Sequence, residues 1–86
     1  MTALLTLDQL AAGRLATVVA LQPPEENPEW HRQLLDLGFL PGESVQVLRR
    51  AAPGGDPLAV RVGGSTYALR RAEAASVQVR VNHPAP

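Results

Sequence analysis

Eighty-six residues, 45% of them apolar and 19% charged, suit one small globular core rather than a disordered chain or two independent domains. Eight Arg, with no Lys, balance eight Asp or Glu to a formal charge of zero, so no field steers a phosphate backbone or an anionic lipid surface, and nucleic acid is disfavoured as a partner. Trp30, Phe39 and Tyr67 are the only aromatic residues, too few for a base-stacking platform, and the absence of Cys excludes disulfides, thiolate metal sites and thiol nucleophiles. The beginning of the chain has no basic n-region and no apolar run approaches a bilayer span, which predicts a cytoplasmic protein without membrane insertion. The charge is nonetheless uneven. Residues 1–43 carry two Arg against six acids and residues 44–86 carry six Arg against two, which predicts an acidic side and a basic side.

Taken in chain order, Thr6 to Gly13 reads as a short strand or a turn of helix closed by glycine. Arg14 to Leu21 is rich in Val, Leu and Thr and ends at Pro23-Pro24, which predicts a strand largely buried on both faces. After an acidic loop, Asn27-Pro28-Glu29 is a helix start: Asn to cap, Pro for the first turn, Glu for the positive end of the dipole. Trp30, Leu34 and Leu37 then recur at helical spacing, and Gly38 supplies a left-handed cap. Leu40-Pro41-Gly42-Glu43 has Pro and Gly where a type II turn wants them.

From Ser44 the period becomes two. Val45 and Val47, then Leu58, Val60 and Val62, then Val77, Val79 and Val81 alternate with polar or small residues, predicting three strands that share one buried face. Pro53-Gly54-Gly55-Asp56 joins the first two, and Gly63-Gly64 is a tight turn into a further strand at Thr66–Arg70. Residues 82–86 read as a flexible tail. A small all-β domain of residues 1–86, a barrel of the SH3-like kind with five to six strands and one inserted α-helix, hides strand edges better than a flat sheet would.

The stretch Arg32-Gln33-Leu34-Leu35-Asp36-Leu37-Gly38-Phe39-Leu40-Pro41-Gly42-Glu43-Ser44-Val45 resembles the Arg-x-Leu-x-x-Leu-Gly-x-x-Pro-Gly-x-x-Val signature of the FeoA family, and the likeness continues through Pro53-x-Gly55-Asp56-Pro57, Gly64-x-x-x-Ala68-Leu69-Arg70, Glu73-Ala74 and Val77. The Pro23 to Pro28 loop is longer and more acidic than the family pattern, and Tyr67 stands at a position more often aliphatic. The resemblance implies an SH3-like barrel that acts through protein contact: an accessory or regulator of bacterial ferrous iron uptake, partnered with FeoB, the membrane transporter that carries a cytoplasmic GTPase domain. A rival reading is a metal- or ligand-sensing module like the C-terminal domain of the iron-dependent repressors.

The glycine pairs match no phosphate-binding fingerprint and read as turn geometry at Gly38, Pro41, Gly42, Gly55, Asp56, Gly63 and Gly64. No motif joins a nucleophile to a base, so no catalytic residue and no cofactor is assigned. Asp36 and Glu43 read as solvated acids or as a salt bridge to Arg32. Glu29, His31 and His83 are the metal-ligating candidates, weak ones that suit adventitious binding better than a dedicated Fe(II) site. Protein contact is the strongest reading: Leu34, Leu35 and Leu37 are more leucines than one helix face can bury. Taken singly, Leu34 and Leu37 read as core with Leu35 at its margin, but the resemblance shifts the helix as a whole toward a docking surface that takes in Phe39 and for which Arg49, Arg50, Arg70 and Arg71 would supply a polar rim. An exposed strand edge is a second docking candidate, and a symmetric homodimer through the helix or an edge stays open.

Overall fold

A computed structural model describes residues 4–51 and 54–82. Six strands form one antiparallel sheet: β1 (Leu4–Thr6), β2 (Leu15–Leu21), β3 (Ser44–Arg50), β4 (Leu58–Val62), β5 (Ser65–Leu69) and β6 (Val77–Val81), hydrogen-bonded in the order β1-β6-β2-β3-β4-β5. Helix α1 (Glu29–Leu37) is inserted between β2 and β3, as expected. Register shifts between Val18 and Ala20 in β2, and between Val47 and Arg49 in β3, add local twist that bends the sheet around its core. The bend does not close the sheet, since β1 and β5 remain its two edges.

The period-two segments behave as their spacing requires. Val45, Val47, Leu58, Val60, Val62, Val77 and Val79 are all buried in one cluster, joined by Leu7, Leu10, Ala16, Val18, Leu34, Phe39, Leu69 and Ala74. Strand β2 departs from expectation. Ala16 and Val18 are buried but Leu15 is 51% exposed, so the strand has one core face and one outward face. An antiparallel sheet packed on one side needs only that.

The ends of α1 show how local chemistry sets local structure. No side chain caps its start: Pro28 occupies the cap position, and Asn27 contributes its backbone carbonyl, which accepts from Trp30 N–H at 3.1 Å. The expected side-chain cap by Asn27 is therefore replaced by a backbone bond. At the other end Gly38 takes φ +110°, its N–H donates to Leu35 O at 2.9 Å, and Phe39 N–H donates to Leu34 O at 3.1 Å, the paired bonds of a Schellman motif. This motif returns the chain toward the barrel and delivers Phe39 to the core at 0% exposure. A Cβ at position 38 would meet nothing nearer than Val62 Cγ1 at 4.0 Å. Gly38→Ala should therefore cost only the backbone penalty of left-handed geometry, roughly 1–2 kcal/mol, read as a lowered urea midpoint; an unchanged midpoint would show that the cap carries no such penalty.

Leu40 to Glu43 is a type II turn closed by Glu43 N–H to Leu40 O at 3.0 Å, with Gly42 at φ +93°. In the two-residue β4–β5 turn only Gly63 is left-handed, at φ +58°, the pattern of a II′ turn. Leu7–Gln9 is a 3-10 turn, the turn of helix that is one of the two readings of this stretch, and it buries Leu7. Two features escape the sequence patterns. Arg71–Ala74 is a one-turn helix, α2, started by Glu73 Oε1 accepting Arg70 N–H at 2.9 Å and Asp56 Oδ1 accepting Arg71 N–H at 3.0 Å. Ser76 is buried at the entrance to β6 instead of alternating outward, because its backbone N–H and C=O pair with Glu73 and Gln22. Asn82 is tied down as well: it donates its N–H to Leu15 O and accepts from Thr17 Oγ1 at 2.9 Å. The remainder of the predicted tail, 83–86, and the loop residue Pro53 lie outside the described residues.

Candidate functional site

The nine residues of α1 bury one side chain fully, Leu34. Leu37 is half-buried and packs against the core, whereas Trp30 and Leu35 are half-buried without joining that packing. Leu40, just beyond the Schellman motif, is 44% exposed. The α1 surface thus presents Trp30, Leu35 and Leu40, flanked by exposed Glu29, Arg32 and Asp36. Three of the expected docking residues are not part of it: Leu34, at 2% exposure, and Phe39 belong to the core, and Leu37 packs against it. The reason is geometric, since one helix position faces the sheet squarely and the glycine cap turns the next apolar residue inward.

Arg32 Nε lies 3.2 Å from Asp36 Oδ1, and this exposed pair, one turn apart on the helix, is the only ion pair among the described residues. Its exposure makes it a minor contributor. Glu43 takes no part in it.

Of the arginines expected as a rim, Arg49 and Arg50 do not frame this surface. Gly38 approaches Val62 at one end of β4, while Arg49 belongs with Ala51, Pro57 and Leu58 at the other end. Arg50 is half-buried and donates from Nη2 to Leu10 O at 2.5 Å, which ties β3 to the loop after the 3-10 turn; that is a structural role. Arg70 and Arg71 are exposed at the start of α2. Around Arg49 the surface forms a shallow groove of ≈ 220 Å³ lined by Arg49, Ala51, Pro57, Leu58, Ala59 and Ala68. Sequence reading missed this groove, whose only signal was the pair of small residues, Ala59 and Ala68, at outward positions.

The turn residues are where they were expected and have structural work: Gly55 N–H donates to Ala51 O at 2.8 Å, and Asp56 starts α2. Of the metal candidates, Glu29 and His31 are exposed two positions apart on α1, a spacing that turns side chains away from each other. His83 lies outside the described residues. Among the described residues no three His, Asp or Glu side chains converge, and no helix is long and apolar enough to cross a membrane.

Residues 5–81 match the family model of the FeoA domain. The chain is similar to the zinc-complexed FeoA of Stenotrophomonas maltophilia, described as a prokaryotic SH3 domain protein and suggested as an activating factor of bacterial ferrous iron transport, at 39% identity and a TM-score of 0.79 over 87% of this chain and 88% of that one. It is also similar to the FeoA protein of Chlorobium tepidum, at 36% identity and a TM-score of 0.77 over 90% of this chain and 70% of that one. The expected SH3-like fold is thereby supported, with the sheet open between β1 and β5. A manganese-dependent transcriptional repressor shares the fold alone, at 18% identity and a TM-score of 0.79 over 95% of this chain and 44% of the repressor.

Proposed function

We propose, from the premise that this chain belongs to the FeoA family, that it serves ferrous iron transport as an accessory protein that acts by contact and not by catalysis. Its partner on this reading is the cytoplasmic part of a FeoB-type membrane GTPase transporter, and α1 is the docking element. The observation that carries the reading is the pair Trp30 and Leu35, apolar side chains on a helix that buries only Leu34 fully. With Leu40 they leave apolar surface that the domain's own core does not use. Docking shifts the transporter only by as much as it prefers one of its states over another.

The test is copurification of the chain with the transporter, paired with an iron uptake assay. Leu35→Asp is expected to reduce retained complex at least about tenfold, equivalent to roughly 1.4 kcal/mol, and to lower uptake in parallel while the chain still folds and melts cooperatively. Unchanged copurification and uptake would remove α1 as the docking surface. Anaerobic calorimetry with Fe(II) separates this reading from a metal-sensing module, which requires tight binding by the chain alone.

A further inference from the structure

We infer that the outer face of β3, β4 and β5, away from α1, takes an extended acidic peptide segment of another protein, added as a strand along the edge of β5. The inference goes beyond the α1 reading and does not rest on it. Three observations on different parts of the structure meet here.

The first is charge placement. All eight acidic residues lie in turns, loops or helices, and the six strands contain none, yet they hold Arg49, Arg50, Arg61 and Arg80. Cross-strand register sets Arg49 beside Ala59 and Ala68, and Gln46 beside Arg61 and Thr66. Two adjacent rows of one outward face therefore carry two guanidinium groups and no carboxylate. Arg70, exposed two residues beyond Ala68, adds a third. Among the described residues none of the three has a carboxylate within salt-bridge distance. Asp56, the acid nearest in sequence to the groove residue Pro57, instead uses its carboxylate to hold Arg71 N–H.

The second is shape. Ala59 and Ala68 stand where larger side chains would fill the surface, and with Ala51 and Pro57 they form the apolar lining of the groove whose charged end is Arg49. A face that carries cations without carboxylate partners suits an extended peptide that turns every second side chain, a row of carboxylates, toward it and its apolar side chains to the opposite face.

The third is the strand edge. β5 is hydrogen-bonded to β4 only, and among the described residues no turn, cap or side-chain hydrogen bond reaches Ser65 to Leu69. The opposite edge, β1, differs: it has three residues, and Thr6 N–H is already taken by Gln9 Oε1 at 3.0 Å. Five residues of unblocked edge beside a cationic groove make β5 the place where backbone pairing and charge recognition coincide.

The experiment is an NMR titration of the full chain with a short synthetic peptide alternating Glu and Val, beside its Lys and Val counterpart of equal strand propensity. The Glu peptide is expected to shift the amide signals of Thr66 and Ala68 and to slow hydrogen exchange along β5; the Lys peptide is expected to do neither. Arg49→Glu combined with Arg61→Glu should weaken binding at least about tenfold, while Arg32→Glu combined with Arg80→Glu, the same charge change on α1 and β6, leaves it within about twofold. Equal binding of both peptides, an equal loss in the control variant, or binding without protection of β5 would overturn the inference. So would preferential occupation of this face by a single-stranded oligonucleotide, by anionic vesicles or by a second copy of the chain.

Discussion

Leu34→Asp is expected to leave the chain unfolded at room temperature, while Leu35→Asp, the next residue of the same helix, folds. Successive helix positions are about 100° apart, so Leu34 faces the barrel at 2% exposure while Leu35 stays half-buried outside the core packing. Removing a buried leucine costs about 2–5 kcal/mol, and an isolated carboxylate placed there adds several more or must be protonated. A chain of this length has a total stability on the order of 4–13 kcal/mol. The first substitution therefore removes most or all of it, and the second only a fraction. Far-ultraviolet circular dichroism and thermal melts check both. A cooperative melt for Leu34→Asp would mean that α1 does not anchor through that residue. The contrast also decides how transporter binding is read, because loss of binding in Leu34→Asp reports unfolding whereas loss in Leu35→Asp reports the surface.

Phe39→Ala should be the most damaging truncation that keeps the chain neutral. Phe39 is the largest fully buried side chain, at 0% exposure, and sits in the same cluster as Leu34, Val45 and Val62. Truncation of a buried Phe costs about 3–5 kcal/mol through lost transfer energy and the cavity left behind. At this size that lowers the melting temperature by at least about 12 °C, with the urea slope m unchanged if only stability is affected. A loss below about 1.5 kcal/mol would place Phe39 at a site that collapses freely, far from the usual cost of such a cavity. Both substitutions probe one device, the Schellman motif, because the bonds from Gly38 N–H and Phe39 N–H to Leu35 O and Leu34 O bring the two apolar residues into the core together.

Much of this was legible locally. The alternation of Val45 and Val47, of Leu58, Val60 and Val62, and of Val77 and Val79 marked the core face of three strands, and the spacing of Gly38, Pro41 and Gly42 marked a helix end followed by a type II turn. Each is a property of the chain within a few residues. The leucines taken singly were legible, Leu34 and Leu37 toward the core and Leu35 at its margin; their grouping into one docking surface was not, because the rotation of α1 against the sheet decides which of them is left outside. Phe39 misled for a related reason: a residue after a helix-ending glycine points inward or outward according to what the cap bonds to. The one-turn helix α2 was missed because four residues show no period, and its start relies in part on Asp56, fifteen positions earlier in the chain than Arg71.

The strand segments, the place of the inserted helix, the turns and the family signature rest on residue type and short-range spacing, and could be read from the chain alone. Which apolar residues of α1 are left for a partner, that Arg49 lies at the far end of β4 from them, and that β5 keeps an open edge beside Arg49, Arg61 and Arg70 follow only from the folded arrangement. Those outcomes depend on strand order and register. They bring together residues tens of positions apart, and no local preference encodes which face of the bent sheet packs on the core or which strands are left at its edges.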